Sequence, residues 1–592
     1  MSPFLYHSAA WLKEQVGSDP KRGTAMLVAS VSVPVLTAFM VRTYRRRSLL
    51  RQRKEYVAEM ECQMRSKEQE VASRISAERA KEITSLSFTE LQSKLQKGEL
   101  SCIEVLYAYQ RVAFTENVQL NFIVQPVLEA EDMARRLDSL DAEARKKLPL
   151  FGIPISVKEN YNMRGYKSTA GLSNLISKTC SETSGFVQAL IDAGAVPFIR
   201  TNIPQTMMSL GAHNPIYGQT RNPLDLARSP GGSSSGESAA IASGSSIIGL
   251  GSDIGGSVRI PAAWCGITAL KPTAGRFSVL NLTSAVKGQS GVKGTSGLMA
   301  REVDALVEFT KVVTSDFQFQ VDMSIPRQYF KEEEYLSTKP LTIGYSRYWA
   351  PIEATQSIQN AVTRAAVELS KQGHKVVEWD LPEFPDSMAR MAVQAYFGDG
   401  GVQIVKNIAN DDVSYVIQTT MRALTVSNRL KQTVAAVAQK LIPQDWRYKF
   451  LTGLAGAKDV NEWFELQNNI AQYRKLWIDD WNRKGIDVLL APAVPIPAEF
   501  ISPKKGCSAA AGAYVYLLNL VNFPAGVVPF GKITPEDEAN DFKNYPNQDL
   551  MQRRLKENIK GSTGLPLSVQ CVALPYREEM CLRVMNLISK LQ

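Results

Sequence analysis

Between Ser229 and Pro261 the chain reads SPGGSSSGESAAIASGSSIIGLGSDIGGSVRIP. Two glycine–serine turns frame an apolar stretch there, and few scaffolds accommodate such a block. A phosphate-binding loop would need Gly-x-x-x-x-Gly-Lys-Ser/Thr, yet no lysine occurs between Ala227 and Leu270. A flexible linker would not enclose AAIASGSSIIGLG, which reads as a helix packed into a core strand. What remains is a pair of tight turns held on a buried scaffold. Gly255 and Gly256 let the second turn close tightly, so the amides of Ile254, Gly255, Gly256 and Ser257 can converge on one oxygen. Ser257 is therefore a candidate nucleophile.

A nucleophilic serine needs a base, and the chain of 592 residues has three histidines. His7 precedes an apolar segment, His374 sits at a helix-to-strand turn in KQGHKV, and His213 in GAHNP reads as a turn residue. A Ser-His-Asp triad is poorly supplied. The alternative is a lysine whose burial lowers its pKa until a neutral amine is available. Lys158, closing the apolar run IPISV, is such a lysine, and chemistry alone does not select it over Lys271 in LKPTAG. Asp253 and Arg259 read as a pair bracing the turn. So few histidines and no clustered cysteines give a metal site no support, and the chemistry requires no cofactor.

The net charge of +10 suggests nucleic acid until it is located. Residues 1–55 hold ten Lys/Arg against three acids, a surplus of seven that leaves only three for the rest. The body therefore carries no nucleic-acid signature. Within this basic segment, Gly23 to Val41 has no charge, and 13 of its 19 residues are Ala, Val, Leu, Met or Phe. A helix of that length spans roughly 28 Å, enough for a bilayer. RTYRRR follows at once as a stop-transfer pattern, which places the body on the cytosolic side of an endomembrane. Seven scattered cysteines without a CxxC fit that reducing side.

Two capping boxes, Ser87-x-x-Glu90 and Ser101-x-x-Glu104, each open a helix. Beyond them apolar strands alternate with amphipathic helices, PISVK, then FVQALIDAG and AVPFIRTN, then AVTRAAVELSKQGH and KVVEWDLP. DVLLAPAVP, FPAGVVPFG and GLPLSVQCVAL are further short apolar runs. The alternation predicts an α/β fold, one large domain with a central mixed β-sheet covered by helices. The expected organisation is a tail over 1–22, a transmembrane helix over 23–41, a charged helical connector over 42–86 and a catalytic domain over 87–592. Residues 411–450 interrupt the alternation with a helical, membrane-facing element.

IPISVKEN, SPGGSSSGES and GSDIGGSVRIPAAWCG, in this order and with 75 residues from Lys158 to Ser233, resemble the amidase signature enzymes. That resemblance implies a Ser-cisSer-Lys triad with Ser257 as nucleophile, Ser233 as bridging serine and Lys158 as general base and then acid. It also implies an oxyanion hole at Ile254, Gly255, Gly256 and Ser257. TNIPQTMMSLGAHNPIYGQTRNP, YFGDGG and NFPAGVVPFGKITPEDEA narrow the resemblance to the membrane-anchored members that hydrolyse long-chain fatty acid amides. Those members imply a homodimer, a lipid amide substrate, and Met207 and Phe397 lining the acyl pocket. One stretch departs from them. TTMRALTVSNRLKQTVAAVAQKLIPQDW (419–446) is amphipathic, with Leu424, Leu430, Val434, Val437 and Leu441 on one face among Arg422, Arg429, Lys431 and Lys440, so it suits an anionic interface. The alternatives are an esterase or small-amide amidase on the same triad, and an inactive membrane scaffold.

Overall fold

Each apolar run singled out above forms a strand of one sheet. The structure, a computed structural model, describes residues 20–347, 349, 352–382, 388–441, 452–502 and 512–591; the side chains of 20–35, 388–389 and 439 lie outside that description, as do His7 and Cys507. In chain order the strands are β1 (Ile123–Pro126), β2 (Pro154–Lys158), β3 (Val196–Thr201), β4 (Ile248–Asp253), β5 (Thr268–Lys271) and β6 (Thr295–Ala300). They continue with β7 (Thr342–Tyr345), β8 (Lys375–Glu378), β9 (Val488–Pro492), β10 (Ala525–Lys532) and β11 (Pro566–Val572). Their spatial order is β1-β3-β2-β4-β6-β5-β10-β11-β9-β7-β8. β3, β2 and β4 run parallel at one side and β9, β7 and β8 at the other, with antiparallel pairs between.

The sheet is mixed, and both of its faces are covered. Along β9, Val488 and Leu490 enter one apolar core while Leu489 and Ala491 enter the other. Side chains alternate across a strand, so a strand buried on both faces must be apolar at every position. VLLA is such a run.

The N-terminal region differs from expectation. The segment expected as a membrane span and most of the connector form one continuous backbone helix, α1 (Pro20–Arg74), 55 residues and roughly 80 Å long, and the connector's end forms a separate short helix over Ala77–Ser85. Among the described residues no helix is long and apolar enough to cross a membrane, so the expected span over 23–41 gains no support from them. The C-terminal half of α1 packs onto the body through Tyr56, Met60 and Val71.

Helix α2 (Phe88–Lys97) opens on the full capping box at Ser87 and Glu90. The second box is only half formed. Ser101 caps the Glu104 amide of α3 (Cys102–Leu120), but Glu104 turns to Arg79, 2.9 Å away. The Asp138 carboxylate accepts the Cys102 and Ile103 amides in its place, at 2.6 and 3.0 Å.

Helices α4 (Ser235–Ala242) and α5 (Arg259–Cys265) follow the two glycine–serine turns. The 411–450 element contains α6 (Gln418–Thr425) and α7 (Asn428–Leu441). Leu424 does not share the exposed face assigned to it; it is buried in a small apolar cluster with Ile417 and Met421. Lys431 is also buried, its ammonium donating to the Leu424 and Leu454 carbonyls at 3.4 and 3.3 Å. Leu430, Val434, Val437 and Leu441 remain exposed on α7.

Candidate active site

Lys158 ends β2, and Asp253 ends the neighbouring parallel strand β4, where Ser156 and Val157 pair with Gly249 and Leu250. The carboxyl ends of these two strands bring the pieces together. Lys158 is fully buried, and its Nζ lies 2.9 Å from Ser233 Oγ, 2.9 Å from Ser252 Oγ and 3.2 Å from the Ser252 carbonyl. Burial pulls its pKa down to about 7, with the Asp253, Glu237 and Glu159 carboxylates opposing the fall. A neutral amine has two N–H groups and one lone pair. The Ser252 carbonyl only accepts, so it takes an N–H. The lone pair is then available to the Ser233 hydroxyl. Protonated, the same nitrogen donates to all three oxygens, so the site holds both states.

Ser233 is 2% exposed and follows a cis Gly232–Ser233 peptide just ahead of α4. Its neighbour Ser234 donates its amide to the Ser257 carbonyl at 3.1 Å, tying the two turns together. Ser257 is 6% exposed. Among the described residues its hydroxyl makes no hydrogen bond, and the Ser233 hydroxyl is joined only to Lys158. The Lys158–Ser233 contact is thus formed, while Ser233 and Ser257 are neighbours without a bond between them. Catalytic contacts of this kind often tighten only around a substrate.

The turn after β4 divides its four amides. Gly256 N donates to Asp253 Oδ1 at 2.8 Å and Val258 N to Asp253 Oδ2 at 3.2 Å. Among the described residues the amides of Ile254, Gly255 and Ser257 carry no such bond and are the available donors. Gly256 has φ +100°, and a Cβ there would stand 2.2 Å from Val515 Cγ2, so only glycine fits.

Asp253 and Arg259 brace the turn. Both are fully buried and their side chains pair at 3.1 Å. Asn519 donates to Asp253 Oδ1 at 2.9 Å, and Arg259 reaches Gln570 Oε1 at 3.0 Å. Burial alone would raise the Asp253 pKa, but the Arg259 charge and hydrogen bonds, with Lys271 and Asn519, hold it well below the usual carboxylate range.

Neither described histidine enters this constellation. His213 meets Ser414 Oγ at 2.8 Å and His374 accepts the Leu341 amide at 3.0 Å. Lys271, the rival base, is also buried and pulled down to about 7, but its bond is to the Pro272 carbonyl. Met207 and Phe397 pack together against the small cluster that holds Leu172, Ile404 and Met421. Thr206 and Met207 both have left-handed backbones, φ 64° and 59°, an uncommon state for such residues.

Two participants escaped the sequence reading. Ser252 is the second hydroxyl on Lys158, and Glu237 lies fully buried beneath, accepting from Ser156 Oγ and, at 2.6 Å, from Thr201 Oγ1. Burial pushes Glu237 up to about 7. A Cβ on Gly249 would fall 1.7 Å from its Oε2, so this strand position is empty to make room for a carboxyl. The signal is the single charged residue between Ser229 and Ser252.

The amidase family matches residues 104–582. The chain belongs to the amidase signature family. Fatty-acid amide hydrolase 1 of Sus scrofa is 35% identical over 514 residues, 86% of each chain. Fatty acid amide hydrolase 1 of Caenorhabditis elegans is 32% identical over 566 residues, covering 93% of this chain and 97% of its own. Among solved structures, a fatty acid amide hydrolase superposes with a TM-score of 0.76 at 25% identity, over 92% of this chain and 95% of that one. This member of the amidase signature family is a serine amidase. Among its described residues no cluster of His, Cys, Asp and Glu could hold a metal ion.

Proposed function

We propose that this amidase hydrolyses long-chain fatty acid amides, both N-acylethanolamines and primary amides, to free acid and amine. The observation that carries the reading is the buried Lys158 amine 2.9 Å from Ser233, beside Ser257 and its turn of free amides. The relatives named above, fatty acid amide hydrolases over nearly the whole chain, supply the substrate class.

In this mechanism Ser257 Oγ attacks the amide carbonyl as its proton passes to Ser233 and the Ser233 proton passes to the neutral Lys158. The carbonyl oxygen becomes an oxyanion held by the amides of Ile254, Gly255 and Ser257. Collapse of the tetrahedral intermediate breaks the C–N bond while the relay runs backwards and protonates the leaving nitrogen. Water then attacks the Ser257 acyl ester, losing its proton through the same relay, and the acid leaves. Glu237, when ionised, supplies a nearby negative charge that favours the protonated lysine.

The test is hydrolysis of N-acylethanolamines from acetyl to eicosanoyl chains. A rate that rises with chain length supports the reading; activity confined to the shortest chains sinks the lipid assignment and leaves a small-amide amidase.

The reading includes attachment to the cytosolic face of an endomembrane and assembly as a homodimer. The uncharged run over 23–41 with its basic flank supports attachment, as does the exposed α7 stripe of Leu430, Val434, Val437 and Leu441. In a variant lacking residues 1–41, Leu430→Glu is expected to release most of the enzyme from anionic vesicles. Unchanged retention in a flotation assay would remove α7 from the interface.

A further inference from the structure

The basic run after residue 41 would be expected to face headgroups, yet two of its arginines turn onto the body. Arg53 reaches Asp411 at 3.3 Å and Asp412 at 2.8 Å, and Arg46 reaches Asp412 at 2.8 Å. The Arg53 side chain is 18% exposed and that of Asp411 is 0% exposed. This is not the loose surface pairing of Arg51 with Glu55, both mostly exposed.

The two aspartates are tied to the walls of the proposed acyl site. Asp411 accepts the amide and the hydroxyl of Ser173, each at 2.8 Å. Gln205 donates to the Asp412 carbonyl at 2.9 Å and accepts the Ser414 amide at 2.8 Å. Thr206 and Met207, the left-handed pair, follow Gln205 directly. Ser209 donates to the Val416 carbonyl at 3.3 Å, and Met207, Val416 and Phe397 all pack on the same small apolar cluster. The chain of contacts runs from α1 through the 411–416 loop to the 205–209 segment.

We infer that Arg53, with Arg46 beside it, is a positioning residue that sets acyl-chain preference. By holding Asp411 and Asp412 it fixes the 411–416 loop to which Gln205 is hydrogen-bonded and thereby the placement of Met207. The docked half of α1 then contributes to substrate selection and is more than a tether. Tyr56, one turn from Arg53, adds a second hold through Tyr217, its hydroxyl 3.3 Å away. The inference rests on the fatty acid amide reading above, because it assigns Met207 and Phe397 to the acyl chain.

The experiment uses the full-length enzyme with two substrates, N-hexadecanoyl and N-butanoyl ethanolamine. Arg53→Gln is expected to raise KM for the long substrate about fivefold, within the coupling that contacting networks show, with little change in kcat. Turnover of the short substrate stays nearly as in wild type, and Arg53→Lys recovers part of the loss. Asp412→Asn, at a half-exposed position that tolerates the change, produces the same shift, and the double variant goes no further than either single. An unchanged chain-length ratio in both variants overturns the inference, and so does an equal fall on both substrates, which would mean general loosening. A wild type that cleaves only the short amide overturns the substrate reading, and the inference with it, before any variant is compared.

Discussion

Ser257→Ala is expected to lower kcat for amide hydrolysis by a factor on the order of 10⁶, the loss typical of removing a serine nucleophile. The thermal midpoint should hardly move. The Ser257 hydroxyl has no hydrogen-bond partner among the described residues, so its removal strands no buried group. The check is a progress curve at high enzyme concentration beside a melting curve of the same preparation. Retention of even a tenth of the wild-type rate would place the nucleophile elsewhere, with Ser233 and Ser252 next in line. The variant should also fail to take up the phosphonyl group of a fluorophosphonate, whose fluoride the Ser257 oxygen displaces in the wild type.

Lys158→Ala is expected to show the second largest effect, and its pH dependence is distinctive. With the lysine pulled down to about 7, the wild-type kcat/KM should rise about tenfold per pH unit below that point and level off above it. The variant has no internal base and depends on hydroxide, so its rate keeps rising. The deficit is therefore greatest, about 10²–10⁴-fold, at neutral pH and below, and it narrows as the pH climbs. A deficit constant from pH 6 to pH 10 would rule out Lys158 as the base. The same shift has a stability sign. Between about 7 and the ordinary lysine value the unfolded chain binds more protons than the folded one, so this group makes stability rise with pH across that window. Below it, the cost of burying the amine is felt in full.

Much of this site was legible in the sequence because its parts are short-range. Lys158 closes an apolar run, Ser233 and Ser257 sit in glycine–serine turns, and the pairing of Asp253 with Arg259 spans six residues. The parts that were not legible are long-range or phase-dependent. Strands β5 and β7 are four residues each, too short for a period to show. Leu424 continues the α7 stripe in the sequence pattern, but the chain leaves the helix at Val426 and re-enters at Asn428, so the phase is reset. Lys431 looked like a surface charge, yet the carbonyl end of α6 draws it inward, as helix C-termini draw cations. Arg46 and Arg53 find their carboxylates more than 350 residues away, where no local pattern can point. Glu237 was hidden for a different reason: its partners Ser156 and Thr201 lie on two other strands, and a first-turn glutamate has an ordinary local explanation.

The brace on the nucleophile turn has a consequence for how the enzyme is made. Arg259 is held by Asn519 and by Gln570, the latter 311 residues further along. At about 5–20 residues per second, synthesis of that intervening chain takes roughly 15–60 seconds. Throughout that interval Ser257 has already been joined to the chain, but the strand that carries Gln570 does not yet exist. A chain ending before Gln570 therefore carries all three candidate triad residues but lacks one of the bonds that hold Arg259 beneath the turn.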